Sequence, residues 1–345
     1  MIGLTYTSFK CRIAATVTSL AAAMAIAVSS AAAQEMTNVK FALLTVPGIW
    51  DAGVFAAVNN GYFKEEGLEI EFVSPTTPAD GLKLLASGDV DFATAHSTEV
   101  ITARSKGLPV VSIAANHQFG TAGVMMPADL GVTDLKQLEG KTLGVTGIPF
   151  NRTMLEYMLE QAGADVSKVD IVVVGFAPMP LLLSKRIDGL GDAITWSEPA
   201  MYNVQIDKPA DDASTYNYFA FYENGVPRYY TLGVVASEET LADNPELARK
   251  FLRAWTKGLD WAIDNQAVAI DGLLALHPEI NRAESVANLA EIARISQSPD
   301  TSEHGLGWQD TSVWAAQEAF MREHGLIESE VDVSKAVTND YQPSN

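Results

Sequence analysis

From Val39 onward, short apolar segments alternate with single helices, and this alternation is what most constrains the fold. Val39–Thr45 is expected as a strand. Asp51 then caps a helix carrying Val54, Phe55 and Val58 on one side and closed at Asn60-Gly61. Glu69–Val73 is the next strand, and Thr77-Pro78 supplies the cap and first-turn proline of a helix that stops at Gly88. Val90–Thr94 is a strand, Thr98–Lys106 a helix stopped by Gly107, and Val110–Ala114 a strand. A second round runs from Lys141 through strand Thr142–Thr146, helix Asn151–Gln161 and strand Ile171–Val174. It continues with a helix near Pro180–Arg186, strand Asp192–Thr195 and helix Pro199–Val204. Strands separated by single helices call for parallel sheets. Beyond Asn244-Pro245, Leu247, Phe251, Trp255 and Leu259 fall at helical spacing, and the remainder is expected to be almost all helical.

One internal echo adds to this pattern. The run Leu84–His96 (LLASGDVDFATAH) is helix, glycine turn, strand, then a polar or aromatic side chain. Leu182–Trp196 (LLSKRIDGLGDAITW) repeats that plan about a hundred residues later. Two similar α/β units suggest two lobes facing each other. Ligands of open α/β sheets sit outside the carboxyl ends of the strands, where Trp50, His96, Thr146 and Trp196 all fall.

The N-terminus has its own logic. Lys10 and Arg12 are the only charges before Glu35; Ile13–Val28 is apolar and alanine-rich, and Ser29-Ser30-Ala31-Ala32-Ala33-Gln34 follows. This is the pattern of a secretory signal peptide (residues 1–33), with cleavage expected after Ala33 and a periplasmic product. The single cysteine, Cys11, precedes the apolar run, so the exported chain would have no disulfide, cysteine-type metal site or thiol chemistry. A net charge of −20 argues against a nucleic-acid or anionic-membrane partner, which would require clustered Lys and Arg. His277, His304 and His324 lack metal-ligand spacing, and no phosphate loop or Gly-x-Ser-x-Gly elbow occurs, so no metal or cofactor is expected.

Several blocks, in order, resemble type 2 periplasmic binding proteins of ABC importers. They are Gly61-Tyr62-Phe63-Lys64-Glu65-Glu66-Gly67-Leu68, Leu84–Ala93, Gly107-Leu108-Pro109-Val110, Asp134–Lys141, Trp196-Ser197-Glu198-Pro199 and Pro227-Arg228-Tyr229-Tyr230. The resemblance is to the branch holding the thiamine-pyrimidine-precursor and sulfonate/taurine binders, and covers roughly residues 39 to 236. It implies two α/β lobes, each a mainly parallel sheet flanked by helices, with the ligand cleft between them. The first lobe would hold residues 34–125, the second 126–233, and residues 234–345 would return to the first. The crossings would lie near Val124–Met126 and Leu232–Val235. It also implies hinge closure over the ligand and transient docking on an inner-membrane permease; a monomer is expected, because the lobes must swing freely.

Candidate ligand contacts follow the same frame. Trp50 would stack a flat ligand and Asp51 accept from an amino group, although Asp51 as helix cap explains the same residue. A carboxylate at a helix N-terminus also disfavours a sulfonate there. His96 and Ser97 end the first echo, and Phe119, after another strand, is placed as a cleft wall. Thr146, Phe150 and Asn151 belong to a strand-to-helix turn where Gly147 lets the backbone approach a ligand, though capping accounts for Thr146 and Asn151 almost as well. Trp196 and Glu198 match the family's aromatic-x-Glu element and suit an amine-bearing aromatic ring. Arg228 and Tyr230 match its tyrosine-bearing crossing strand. Thr231 stands where the pyrimidine binders often carry an acid, which together with Arg228 leaves room for an aromatic carboxylate or a flavin. The expected function is therefore non-enzymatic capture of a small aromatic nitrogen heterocycle. The alternatives are a sulfonate or taurine binder, a sensory role, or pyrimidine synthesis, an activity that the family associates with a cysteine-rich segment absent here.

Overall fold

Every residue of the strands Val110–His117 and Thr231–Ser237 is buried, as befits strands covered by helices on both faces. The computed structural model describes residues 36–343; the expected signal peptide lies outside the described residues. Within them run ten strands: β1 (Thr37–Ala42), β2 (Leu68–Val73), β3 (Phe92–Ala95), β4 (Val110–His117), β5 (Ala122–Pro127), β6 (Thr142–Val145), β7 (Asp170–Val173), β8 (Gly189–Ile194), β9 (Tyr216–Ala220) and β10 (Thr231–Ser237). They form two five-stranded sheets, ordered β2-β1-β3-β10-β4 and β7-β6-β8-β5-β9, each flanked by helices. β1 and β3 pair in parallel, as β6 does with β7 and β8, while β10 and β5 run antiparallel to their neighbours. The echo in the sequence is thus a repeat in space: β3 and β8 each stand third in their sheet, against the one antiparallel strand.

The backbone ladders move several expected boundaries. β4 extends to His117 because Ala114, Ala115 and His117 pair with Val234, Gly233 and Thr231 of β10. β5 pairs with β8 and β9 from Ala122 on, and β10 with β4 from Thr231 on. The chain therefore crosses between His117 and Ala122 and again between Ala220 and Thr231, ahead of the expected Val124–Met126 and Leu232–Val235. Residues at those expected positions already make ladder bonds in their destination sheets. Strand β9 has no counterpart in the expected alternation.

The C-terminal helices pack mainly on the first sheet, and two also reach the second lobe. Helix Arg282–Ile295 packs on both the 3₁₀ turn Ile49–Asp51 and helix Glu198–Gln205, and Phe320 of helix Thr311–Glu323 joins the second lobe's core. The amphipathic helix Pro245–Asp264 buries Leu247, Phe251, Trp255 and Leu259 against helix Ala52–Asn59. At the closest approach a Cβ on Gly258 would stand 2.5 Å from the Gly53 carbonyl oxygen and 2.5 Å from the Ala57 Cβ. Backbone cannot yield as a flexible side chain can. Gly258→Val is therefore expected to destabilise the protein by about 2 kcal/mol or more, read as a lower urea midpoint at unchanged slope.

Candidate functional site

Two tryptophans, one from each lobe, meet at the carboxyl ends of the strands. Trp50 lies in the 3₁₀ turn Ile49–Asp51 that follows β1, and Trp196 in the turn after β8; their ring centroids are 5.3 Å apart with planes tilted by 42°. Trp50 folds back over Gly48, where any Cβ would come within 2.4 Å of its ring carbons, so that position requires glycine. His117, at the end of β4, meets Trp196 edge-on at 6.5 Å. Its Nδ1 pairs with Thr231 Oγ1 at 3.0 Å, and full burial pushes its pKa down to about 3, so the ring is neutral at physiological pH. Trp50 Nε1, Trp196 Nε1 and His117 Nε2 are all buried without a hydrogen-bond partner. A buried polar group left unpaired costs about 1–3 kcal/mol, so three in one place mark a surface shaped for something else to bond.

Two carboxyl groups flank this pair. Asp51 Oδ2 accepts the Gly48 N–H at 3.0 Å, so it closes the 3₁₀ turn and does not cap helix Ala52–Asn59 with its side chain, as the sequence had suggested. Glu198 Oε2 accepts the Ile194 N–H at 2.9 Å. Burial pushes both carboxyls up to about 7, only partly opposed by the Gly48 amide at Asp51 and by the Ile194 and Glu198 amides and the Ser197 hydroxyl at Glu198. Among the described residues neither makes an ion pair. The arrangement offers two indole faces, unpaired ring nitrogens and two acids whose charge is unmatched by any cation.

The other candidate residues divide among three places. His96, Phe150 and Asn151 line a cavity of about 480 Å³ between the lobes, to which Tyr229 rather than Tyr230 contributes. His96 Nδ1 accepts the Leu232 N–H at 3.2 Å. Thr146 and Asn151 are both held by the buried Asp192, whose carboxylate accepts the Thr146 N–H and hydroxyl and the Asn151 Nδ2 amide at 3.1 Å. Neither caps the following helix. Ser97 clasps Tyr230 instead of facing a cavity: its hydroxyl donates to the Tyr230 carbonyl at 2.8 Å and accepts the Tyr230 N–H at 3.1 Å. The Tyr230 phenol in turn accepts the Asp310 N–H at 2.7 Å, deep in the first-lobe core. Phe119 and Arg228 sit at the crossings. The Arg228 guanidinium lies 4.9 Å over the Phe119 ring, donates to the Gln118 carbonyl at 2.7 Å and pairs with Asp300 at 3.1 Å. Its charge is therefore already matched, and Phe119 stacks on Tyr222 at 5.1 Å without lining that cavity.

His117, Asp192 and Tyr229 stand here although the sequence favours Phe119 over His117 and Tyr230 over Tyr229, and gives Asp192 no role beyond its strand. The signal for His117 was present, since it is the polar residue that ends a buried strand; it was obscured because β4 was expected to stop at Ala114.

Comparison with known proteins agrees with this architecture. The family described as NMT1/THI5 like matches residues 51–269. The formylaminopyrimidine-binding protein of Halalkalibacterium halodurans is 32% identical over 83% of this chain and 85% of its own. The riboflavin-binding protein RibY of Chloroflexus aurantiacus is 29% identical over 96% and 93%. A 4-amino-5-hydroxymethyl-2-methylpyrimidine phosphate synthase of Saccharomyces cerevisiae is 28% identical over 71% and 72%. The solved periplasmic aliphatic sulphonate binding protein SsuA of Escherichia coli superposes with a TM-score of 0.68 at 12% identity, over 89% of this chain and 94% of that one. The strand order, the two lobes and these matches lead to one assignment: this chain belongs to the NMT1/THI5-like family and has the two-lobed type 2 periplasmic binding protein fold.

Proposed function

We propose that this protein is the exported solute-binding component of an ABC import system. It captures a small, amine-bearing aromatic nitrogen heterocycle of the thiamine-pyrimidine-precursor class between Trp50 and Trp196. The observation that carries this reading is the indole pair itself, supplied by opposite lobes, with unpaired ring nitrogens and the acids Asp51 and Glu198 beside it. A stacked carbon contact takes about 3.5 Å, so a planar ring needs roughly 7 Å between its two neighbours. Opening the 5.3 Å pair by about 2 Å admits such a ring, and lobe closure around it is the hinge motion that a permease would sense. The acids accept from amino groups; the indole N–H groups donate to ring nitrogens or a carbonyl. A sulfonate would meet two acids there and no free cation. The pyrimidine-binding relative supports the ligand class, and the N-terminal 33 residues support export to the periplasm. No helix among the described residues is long and apolar enough to cross a membrane. The ligand is bound without turnover in this reading: the cysteine-rich segment associated with pyrimidine synthesis has no counterpart, and the one cysteine, Cys11, falls in the segment expected to be removed.

The test is a thermal-shift panel on the protein recovered after export, holding aminopyrimidines, riboflavin, sulfonates with taurine, and aromatic carboxylates. A ligand at a hundred times its Kd adds about 2.7 kcal/mol of stability, an upward shift of several degrees. An aminopyrimidine is expected to give that shift and to be recovered unchanged. Stabilisation by sulfonates alone, or conversion of the pyrimidine, would overturn the reading.

A further inference from the structure

We infer that the cavity between the lobes is a second compartment of the ligand site, and that it takes an uncharged, apolar substituent carried by the bound heterocycle. None of Trp50, Asp51, Trp196 and Glu198 lines it. Its walls are Leu82 and Ala103 from first-lobe helices, Phe150 from the second lobe, Tyr229 from the crossing, and Met321 and Leu326 from the C-terminal region. At about 480 Å³ it falls within the range of small-molecule sites, about 300–1,000 Å³, whereas a single ring held between the indoles would leave it empty. Of its charged lining, the Glu99 carboxylate caps its own helix by accepting the His96 N–H at 2.9 Å and has no ion pair among the described residues, Lys83 pairs with Asp80 at 3.0 Å, and Lys106 is exposed. The exposed lining is mostly apolar, so an apolar group inside gains more contact than an ionised one.

The two compartments share a wall. His96, Thr231 and Ile194 line the cavity, and each is bonded to the neighbourhood of the indole pair: His96 to the Leu232 amide, Thr231 to His117 at 3.0 Å, and the Ile194 N–H to Glu198 at 2.9 Å. Because both lobes line it, an apolar group seated there adds contacts across the same gap that the stacked ring closes. The inference rests on the proposed function for the ligand's polar end and on the cavity alone for its apolar end.

Two measurements separate these ends. N-phenyl-1-naphthylamine, an uncharged apolar fluorophore, is expected to bind the wild-type protein saturably with enhanced emission. Binding should weaken at least tenfold in Ala79→Trp, whose exposed position at the cavity lining lets a large side chain plug the space without entering the core. Thr102→Trp plugs it from the neighbouring helix if Ala79→Trp does not fold. Separately, aminopyrimidines bearing 5-alkyl groups of increasing length should tighten about fourfold per methylene until the cavity is full. Lack of saturable probe binding, probe binding that survives both plugs, or a flat alkyl series would overturn the inference. Probe binding that obeys the plugs while no aminopyrimidine binds at all would support the apolar compartment and overturn the heterocycle reading.

Discussion

Replacing Trp196 with alanine is expected to weaken heterocycle binding at least about thirtyfold, and Trp50→Ala to do the same. Each removes one of two faces that together sandwich the ring. Aromatic anchors buried at the centre of a binding surface commonly contribute 2 kcal/mol or more, and Trp is the richest such residue. The change should fall on affinity more than on folding. Trp196 is 9% exposed and packs with the first-lobe core, so truncation loses apolar contacts. The same truncation removes a buried indole N–H that has no partner, which offsets part of that loss. Trp196→Tyr keeps a face and should recover most of the affinity, which separates stacking from simple space filling. The measurement is titration calorimetry with the aminopyrimidine that gives the largest thermal shift, beside an urea melt of each variant. Unchanged affinity in both alanine variants, with ligand still bound at one site, would place the ligand elsewhere.

The architecture was legible because its signals are local. Apolar runs of four to eight residues, glycine stops and Thr77-Pro78 and Asn244-Pro245 starts need no knowledge of distant neighbours, and the Leu84–His96 echo alone puts β3 and β8 in equivalent positions. The three strands that lacked this support were β5, β9 and β10, which stand outside the strand-helix alternation and owe their pairing to distant strands: β5 to β8 and β9, and β10 to β3 and β4. The proposed site was legible where an aromatic or acid stands in the turn after a strand or opens the helix beyond it, as at Trp50, Trp196 and Glu198. It was not legible where orientation turns on a single residue. Tyr229 and Tyr230 are neighbours in an irregular stretch with no period to fix which faces the cavity, and the Ser97 and Asp310 bonds that turn Tyr230 inward come from 133 and 80 residues away. Arg228 carried a similar ambiguity. Its partner Asp300 lies 72 residues on, so nothing near Arg228 in the chain announces that its charge is taken.

The acidity of the site gives the second large effect. Asp51 and Glu198 are both pushed up to about 7 by burial, from ordinary values of 3.8 and 4.5, and Asp192 adds repulsion at Glu198. For Asp51 the displacement favours the neutral form by on the order of 4 kcal/mol. Between roughly pH 4 and 7 the folded protein therefore holds more protons than the unfolded chain. The stability these groups contribute is fully present below their unfolded values and is lost as pH rises through about 7, each group contributing a slope of up to about 1.4 kcal/mol per pH unit. The ligand-free protein is expected to melt at higher temperature at pH 5.5 than at pH 8, and the double variant Asp51→Asn, Glu198→Gln to flatten that profile. Binding should run the linkage in reverse. An amino group donating to these carboxyls favours their ionised form, so capture near pH 6.5 expels protons to solvent. Calorimetry in two buffers of different ionisation enthalpy is expected to show roughly one proton released per ligand at pH 6.5 and none at pH 8.5, with Glu198→Gln reducing the release. A ligand that binds with no proton exchange at either pH, while the double variant keeps the wild-type melting profile, would mean that these two acids neither feel the ligand nor strain the fold.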